Sequence, residues 1–275
     1  MRIACMGGLR GCVCLSLLLS LGGCEQGFTS AEARQAVDES SISAQASALM
    51  ASSVEISTDF TIGEAVQNAA MEIRDTVEAN LPCAEVTVED AVLSIEYGAR
   101  PGNCVHNGRS LSGLHTIHVA ANDDAEVLVE HTWDELDNGL MMVSGEADVT
   151  WSLADRTRHI VHELTWTRLR DGRTGVGRGD RLQSALDGML LEGIVVDGDR
   201  SWEGERGDWS LDIDQVEARW RDPVPQSGSY TLDTPFDKSL TLSFDRVDDA
   251  RIRVTAEGPR RSFSFTVTAL GLIEG

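Results

Sequence analysis

From Glu85 onward, apolar and polar residues alternate with a period of two. Met141, Val143, Ala147, Val149, Trp151 and Leu153 are apolar, while Ser144, Glu146, Asp148, Thr150 and Ser152 between them are polar. Successive side chains of a strand point to opposite faces, so the pattern predicts a strand with one buried and one wet face. Leu240, Leu242 and Phe244 repeat it, as do Ile252, Val254 and Ala256, and again Phe263, Phe265 and Val267. The turn sequences "ARPGN", "LDNG", "RDGR", "GERGD" and "DPVPQSG" punctuate these runs. No stretch after Pro82 has the period of a crossover helix, so residues 83–275 are expected to form a large antiparallel β-meander. Its one-sided apolar strands would face each other if the meander curls into a sandwich, barrel or half-barrel.

Before Pro82 the period is that of a helix. Ile62, Val66, Ala69, Ile73, Val77 and Leu81 recur at three- or four-residue steps after Thr61, and Pro82 stops the run. This stripe is expected to pack on the sheet. An earlier helix, capped by Ser30 and running through "AEARQAVDESSISAQASALMASS", has only a thin apolar stripe. Residues 30–82 are therefore expected to be a helical segment, and the fold class is α+β, mainly β.

The first residues read as an address. Arg2 and Arg10 are the only charges before Glu25, and Val13–Leu21 is apolar except for Ser16 and Ser20. A membrane-spanning helix needs about 20 apolar residues. This run is too short to span, and it fits the h-region of a secretory signal. Leu21-Gly22-Gly23-Cys24 resembles the lipobox of bacterial lipoprotein precursors. That resemblance implies cleavage after residue 23, a lipidated Cys24 as mature N-terminus, and a tether over 24–29. Each buried CH₂ contributes about 0.8 kcal/mol, so several acyl chains together hold a protein at a membrane stably. Glu25 at the next position goes, in that family, with sorting to the outer membrane. The expected location is the cell envelope, with the membrane as partner through the lipid.

Charge and cysteine content narrow the partners. Beyond residue 23 the chain has 21 basic and 45 acidic residues, a net charge of −24. Such a chain repels nucleic acid and anionic headgroups over most of its surface. Cys5, Cys12 and Cys14 lie in the signal and Cys24 takes the lipid, which leaves Cys83 and Cys104 for one disulfide. Closing a loop of that size stabilises a fold by roughly 3 kcal/mol in the chain-entropy model. Lys238 is the only lysine, and nothing near it in sequence suggests burial.

Candidate chemistry is sparse. In "HTIH" and "HIVHE", His115 and His118, and His159 and His162, stand three apart. On a strand that spacing sends each pair to opposite faces, so one member of each could meet His131. After His162-Glu163 the second histidine of a zincin is missing, and no metal ligand set is assigned. Neither a Gly-x-Ser-x-Gly elbow nor Ser-x-x-Lys occurs. "GVGRGD" reads as a hairpin loop, and Asp123-Asp124 and Asp248-Asp249 as solvated turns. Trp133, Trp151, Trp166, Trp202, Trp209 and Trp220 are expected in the core with their indole N–H groups satisfied. A weak repetition links "LSGLHTIHV", "VSGEADVTW" and "VDGDRSWEG", each with a Ser-Gly or Asp-Gly step placed before a strand. "VEHTWDEL" and "HELTWTRL" align as neighbouring hairpin strands, and "ELTWTRLRDGRTGVGRGD" resembles "QVEARWRDPVPQSGSYTL".

The sequence thus supports a lipid-anchored envelope protein acting as a non-catalytic binding or structural module. A carrier cupping a lipid or other apolar ligand in a curled sheet is the alternative, and an envelope hydrolase comes third. No catalytic residue, ligand-binding residue or cofactor is assigned.

Overall fold

The computed structural model describes residues 27–275 except 107, 124, 189–192, 205, 220–223, 269–272 and 275. The signal, Cys24 and most of the tether, together with Asp124 and Trp220, lie outside the described residues. Two helices, α1 (Ser30–Ile56) and α2 (Val66–Asn80), precede the strands. These are β1 (Glu85–Glu89), β2 (Val92–Tyr97), β3 (Val105–His106), β4 (Arg109–Ser110), β5 (Ser112–Asn122), β6 (Glu126–Asp137), β7 (Met141–Ser152) and β8 (Thr157–Arg168). After them come β9 (Arg173–Ala185), β10 (Ile194–Gly204), β11 (Gly207–Ala218), β12 (Ser227–Thr234), β13 (Lys238–Arg246), β14 (Arg251–Glu257), β15 (Ser262–Thr268) and β16 (Ile273–Glu274).

The α+β, mainly β class predicted from the periodicities is observed. Fourteen strands form one antiparallel sheet in chain order, and the pair β3–β4 stands apart as a small excursion between β2 and β5. The sheet is open, since β1 and β16 each pair with a single neighbour. The meander therefore does not close into a barrel, and the core lies on its apolar face. Both helices pack on that face, α2 against β1, β2 and β5, and α1 against β7.

Each helix departs from its sequence reading for a local reason. Thr29, not Ser30, caps α1: its hydroxyl accepts from Glu32 N–H, and Glu32 in return accepts from Thr29 N–H. This reciprocal pair satisfies two donors that a helix start leaves open. In α2 the first turn begins at Val66, and Ile62 is exposed. Gly63 has a left-handed backbone, with φ of 82°, and Asn122 on β5 holds this turn by accepting from Gly63 N–H and donating to the carbonyls of Thr61 and Glu64. Ala69, Ile73, Val77 and Leu81 are buried as the stripe predicts.

The thin apolar stripe of α1 is supplemented by charge. From its N-terminus to its C-terminus, Glu32 pairs with Lys238, Asp38 with Arg168 and Arg173, Glu39 with Arg173, and Glu55 with Arg158. Glu39 is buried, and burial pushes its carboxyl up despite Arg173. The hydrogen bond from Arg168 holds Asp38 below the usual range. Lys238 is thus enclosed by α1, with its ammonium 5.7 Å from the Phe28 ring, contrary to the exposure expected of it.

The repeated Ser-Gly and Asp-Gly steps lie inside strands rather than before them. Gly113, Gly145 and Gly198 have φ of 100°, 142° and 127°, and a Cβ on any of them would collide with a carbonyl oxygen of the adjacent strand. Only glycine permits both that backbone and that approach. The residue preceding it locks the neighbouring bulge: Ser144 Oγ accepts from Glu135 N–H, and Asp197 Oδ1 accepts from Gln215 N–H, each at 2.9 Å. Glu135 and Gln215 are themselves left-handed, at 50° and 47°, where the register shifts. The weak repeat is therefore a recurring device for bending the sheet. "VEHTWDEL" and "HELTWTRL" lie on β6 and β8, next to β7 on either side rather than next to each other.

Cys83, just after α2, and Cys104, just before β3, form a disulfide, with Cα atoms 5.3 Å apart. It pins the β3–β4 excursion to the helix–sheet junction. Thiol labelling of the denatured, unreduced protein is expected to modify neither cysteine; full labelling of both would show that no bridge forms.

A buried basic pit beneath the first helix

Beneath α1 the apolar face of the sheet is interrupted by basic side chains. Register places Ile117, His131, Ala147, His162, Gly179 and Arg200 as successive cross-strand partners from β5 to β10. The adjacent row runs Ile160, Arg181, Gly198, Ile213 and Tyr230 from β8 to β12. The small residues Ala147, Gly179 and Gly198 let the larger side chains and strands around them close in. His162 and Arg200 lean into the space over Gly179, where a Cβ would strike the imidazole and lie 3.1 Å from Arg200 Cγ. From α1, Ser47 accepts a 3.0 Å hydrogen bond from Arg200 Nη1. Arg158, held by Gln183 and Glu55, closes the end of the pit.

The "GVGRGD" stretch belongs here, in the middle of β9, and not in a hairpin loop. Gly175 and Gly177 lie under the Trp166 ring, and Gly179 under His162. Val176, Arg178 and Asp180 between them face the wet side. Three missing side chains let a tryptophan and a histidine lie flat against the sheet, which no local sequence rule signals.

The histidines divide as their three-residue spacing predicts. His118 and His159 are on the wet face, paired with Glu130 and Asp180 at 2.8 and 2.6 Å. His115, His131 and His162 are buried. Tyr97 Oη lies 3.2 Å from His115 Nδ1, and His115 Nε2 lies 3.0 Å from His131 Nδ1. With Tyr97 donating, His115 donates to His131, and the chain ends on a buried N–H at His131 Nε2. Burial lowers all three imidazoles, His131 and His162 to about 3. Arg158 adds to the effect at His131, and Arg181 and Arg200 add to it at His162. His131 therefore meets His115, whereas Ala147 separates it from His162. Among the described residues no group of three or more His, Cys, Asp or Glu side chains is placed to hold a metal ion.

What distinguishes the pit is its surplus of unpartnered nitrogens. His131 Nε2, Arg181 Nε and Nη2, and Arg200 Nε are donors buried without a hydrogen-bond partner, and His162 Nδ1 is likewise unpartnered. Trp133, Trp202 and Trp209 are in the core as expected, but their indole Nε1 atoms are likewise unsatisfied. No carboxylate of a described residue pairs with Arg181 or Arg200. Burial, then the charges of Arg200 and Arg158, brings the Arg181 guanidinium down to about 10, and burial also lowers Arg200. Both remain cations at neutral pH, half-buried beside the half-buried Tyr230, where the pit reaches the surface. A buried donor without an acceptor costs about 1–3 kcal/mol. The cluster therefore carries positive charge and hydrogen-bond donors without acceptor atoms to match them among the described residues.

The arginines were legible only as residues. The pit needs the register of five strands to assemble, and the one sequence hint was the glycine run opposite them. No protein-family model matches this chain, and neither a curated protein nor a solved structure matches it.

Proposed function

We propose that this chain is a non-catalytic binding module of the bacterial cell envelope, anchored by a lipid on Cys24, whose ligand presents an anionic group to the pit beneath α1. The observation that carries the reading is the pair Arg181 and Arg200, buried at their inner nitrogens with no acceptor. In a chain with 45 acidic residues, guanidinium groups that find no carboxylate among the described residues are conspicuous. Diffusing anions are repelled by the general surface, so a pit that holds one must bind through specific, desolvated hydrogen bonds.

Replacing Arg181 by Met separates a binding role from a structural one. Removing a half-buried cation whose inner nitrogens lack acceptors should leave the ligand-free protein as stable as the parent or more so. Phosphate at about a hundred times its dissociation constant should stabilise the parent by about 2.7 kcal/mol and the variant not at all. Thermal unfolding with and without phosphate reads both. Loss of stability in the variant, with no anion effect in the parent, would contradict the proposal.

The anchor has its own test. Cys24→Ser should move the protein from the membrane to the soluble fraction, with the mass of the acyl chains lost. Unchanged fractionation and mass would remove the lipobox reading while leaving the pit untouched.

A further inference from the structure

Beyond the pit the same two rows of cross-strand partners become wholly apolar. Arg200 is followed by Leu211, Leu232 and Leu240 on β11, β12 and β13. The row of Arg181 continues from Ile213 through Tyr230 and Leu242 to Ala256 on β14. Phe244, packed edge-on to Tyr230 with ring centroids 5.6 Å apart, and Phe265 extend this strip. Leu211, Ile213, Leu232 and Ala256 are already buried, and α1 reaches β13 through Glu32 and Lys238, but Leu240, Leu242, Phe244 and Phe265 remain half-buried and Phe263 is 61% exposed. From β12 to β15 the strip spans three inter-strand spacings, about 14 Å. Its apolar side chains line up directly with cations that find no counter-charge among the described residues.

We propose that the ligand is an anionic amphiphile, with its charged head on Arg181 and Arg200 and its apolar chain laid across β12–β15. This rests on the reading of the pit as an anion site and adds the chemical class. The two halves of the surface demand different things. The arginines need acceptor oxygens and a negative charge, and the strip needs only apolar area removed from water. A free inorganic anion satisfies the first and leaves the second uncovered. A neutral lipid does the reverse and strands the cations. One molecule with a head and a chain satisfies both, and Tyr230 stands where the two meet.

The test uses the whole chain from residue 24 carrying Cys24→Ser, titrated calorimetrically below micellar concentration with inorganic phosphate, dodecyl phosphate, laurate and dodecyl maltoside. Dodecyl phosphate is expected to bind at least 100-fold more tightly than inorganic phosphate. Laurate shows whether a carboxylate head serves as well, since either head has the required oxygens. Arg181→Met should weaken dodecyl phosphate at least tenfold, whereas Leu242→Asn should weaken dodecyl phosphate and leave inorganic phosphate unchanged. If inorganic and dodecyl phosphate bind equally, the chain-binding strip is refuted and the anion site stands. If dodecyl maltoside matches dodecyl phosphate, the link between head and arginines is refuted. If no anion binds at all, the reading of the pit falls with it.

Discussion

Between pH 7.5 and pH 5.5 the ligand-free protein should lose about 4 kcal/mol of stability, because three buried histidines must be carried neutral into the fold. His115, His131 and His162 all have folded-state pKa values depressed by burial, those of His131 and His162 to about 3. In the unfolded chain each returns to its ordinary value of about 6.5. Below that pH the unfolded state binds protons that the native state refuses, so stability is present above pH 6.5 and drains away as the pH falls. At pH 5.5 the unfolded chain gains about 1.4 kcal/mol for each such histidine. The groups around them reinforce the sign: Arg158, Arg181 and Arg200 are cations, and Tyr97 is a neutral phenol whose ionisation burial opposes. Glu32, lowered to about 2 chiefly by its hydrogen bond from Lys238, and Asp38, lowered chiefly by Arg168, titrate below this window. Urea unfolding at the two pH values measures the loss. His162→Gln should reduce it by about a third. An undiminished loss in that variant would mean that the buried imidazole is not neutral.

Truncating Trp166 to Ala should cost about 3–5 kcal/mol, the range for a large buried aromatic. The ring is 6% exposed and lies over two glycines of β9. A Cβ at Gly177 would stand 2.7 Å from Trp166 Cη2 and Cζ3, and one at Gly175 2.7 Å from Cε2 and Cζ2. Gly177→Ala alone should therefore destabilise by about 1–3 kcal/mol through overpacking. With Trp166→Ala already present, that clash has no partner, so the second substitution should cost at least about 1 kcal/mol less than it does alone. Additive effects in a denaturation cycle would show that the ring does not rest on these glycines. Trp151, equally apolar in the alternation, is only half-buried against Phe60, so Trp151→Ala should fall short of the Trp166 value.

The chain by itself determined whatever depends on neighbours in sequence. A period of two after Glu85 suffices for strands with one apolar face, and short turns between them leave only a meander. The stripe from Val66 to Leu81 suffices for a helix on that face, and the spacing of the histidines suffices to send His115 and His118 to opposite sides. Two remaining cysteines allow only one bridge. Tertiary structure decided what depends on register. Whether Arg181 and Arg200 meet each other or a carboxylate cannot be read along the chain, because the pairing register of β9 with β10 is what brings them together. The glycine steps at 113, 145 and 198 read as steps before strands because glycine serves strand entries and close strand approaches equally well. "GVGRG" looked like a loop for the same reason, although its glycines exist to receive the rings of Trp166 and His162. Lys238 gave no sign of burial because its partner, Glu32, lies 206 residues earlier. Local pattern names the face on which a side chain lies, and only the folded sheet determines which charges share that face without a counter-charge.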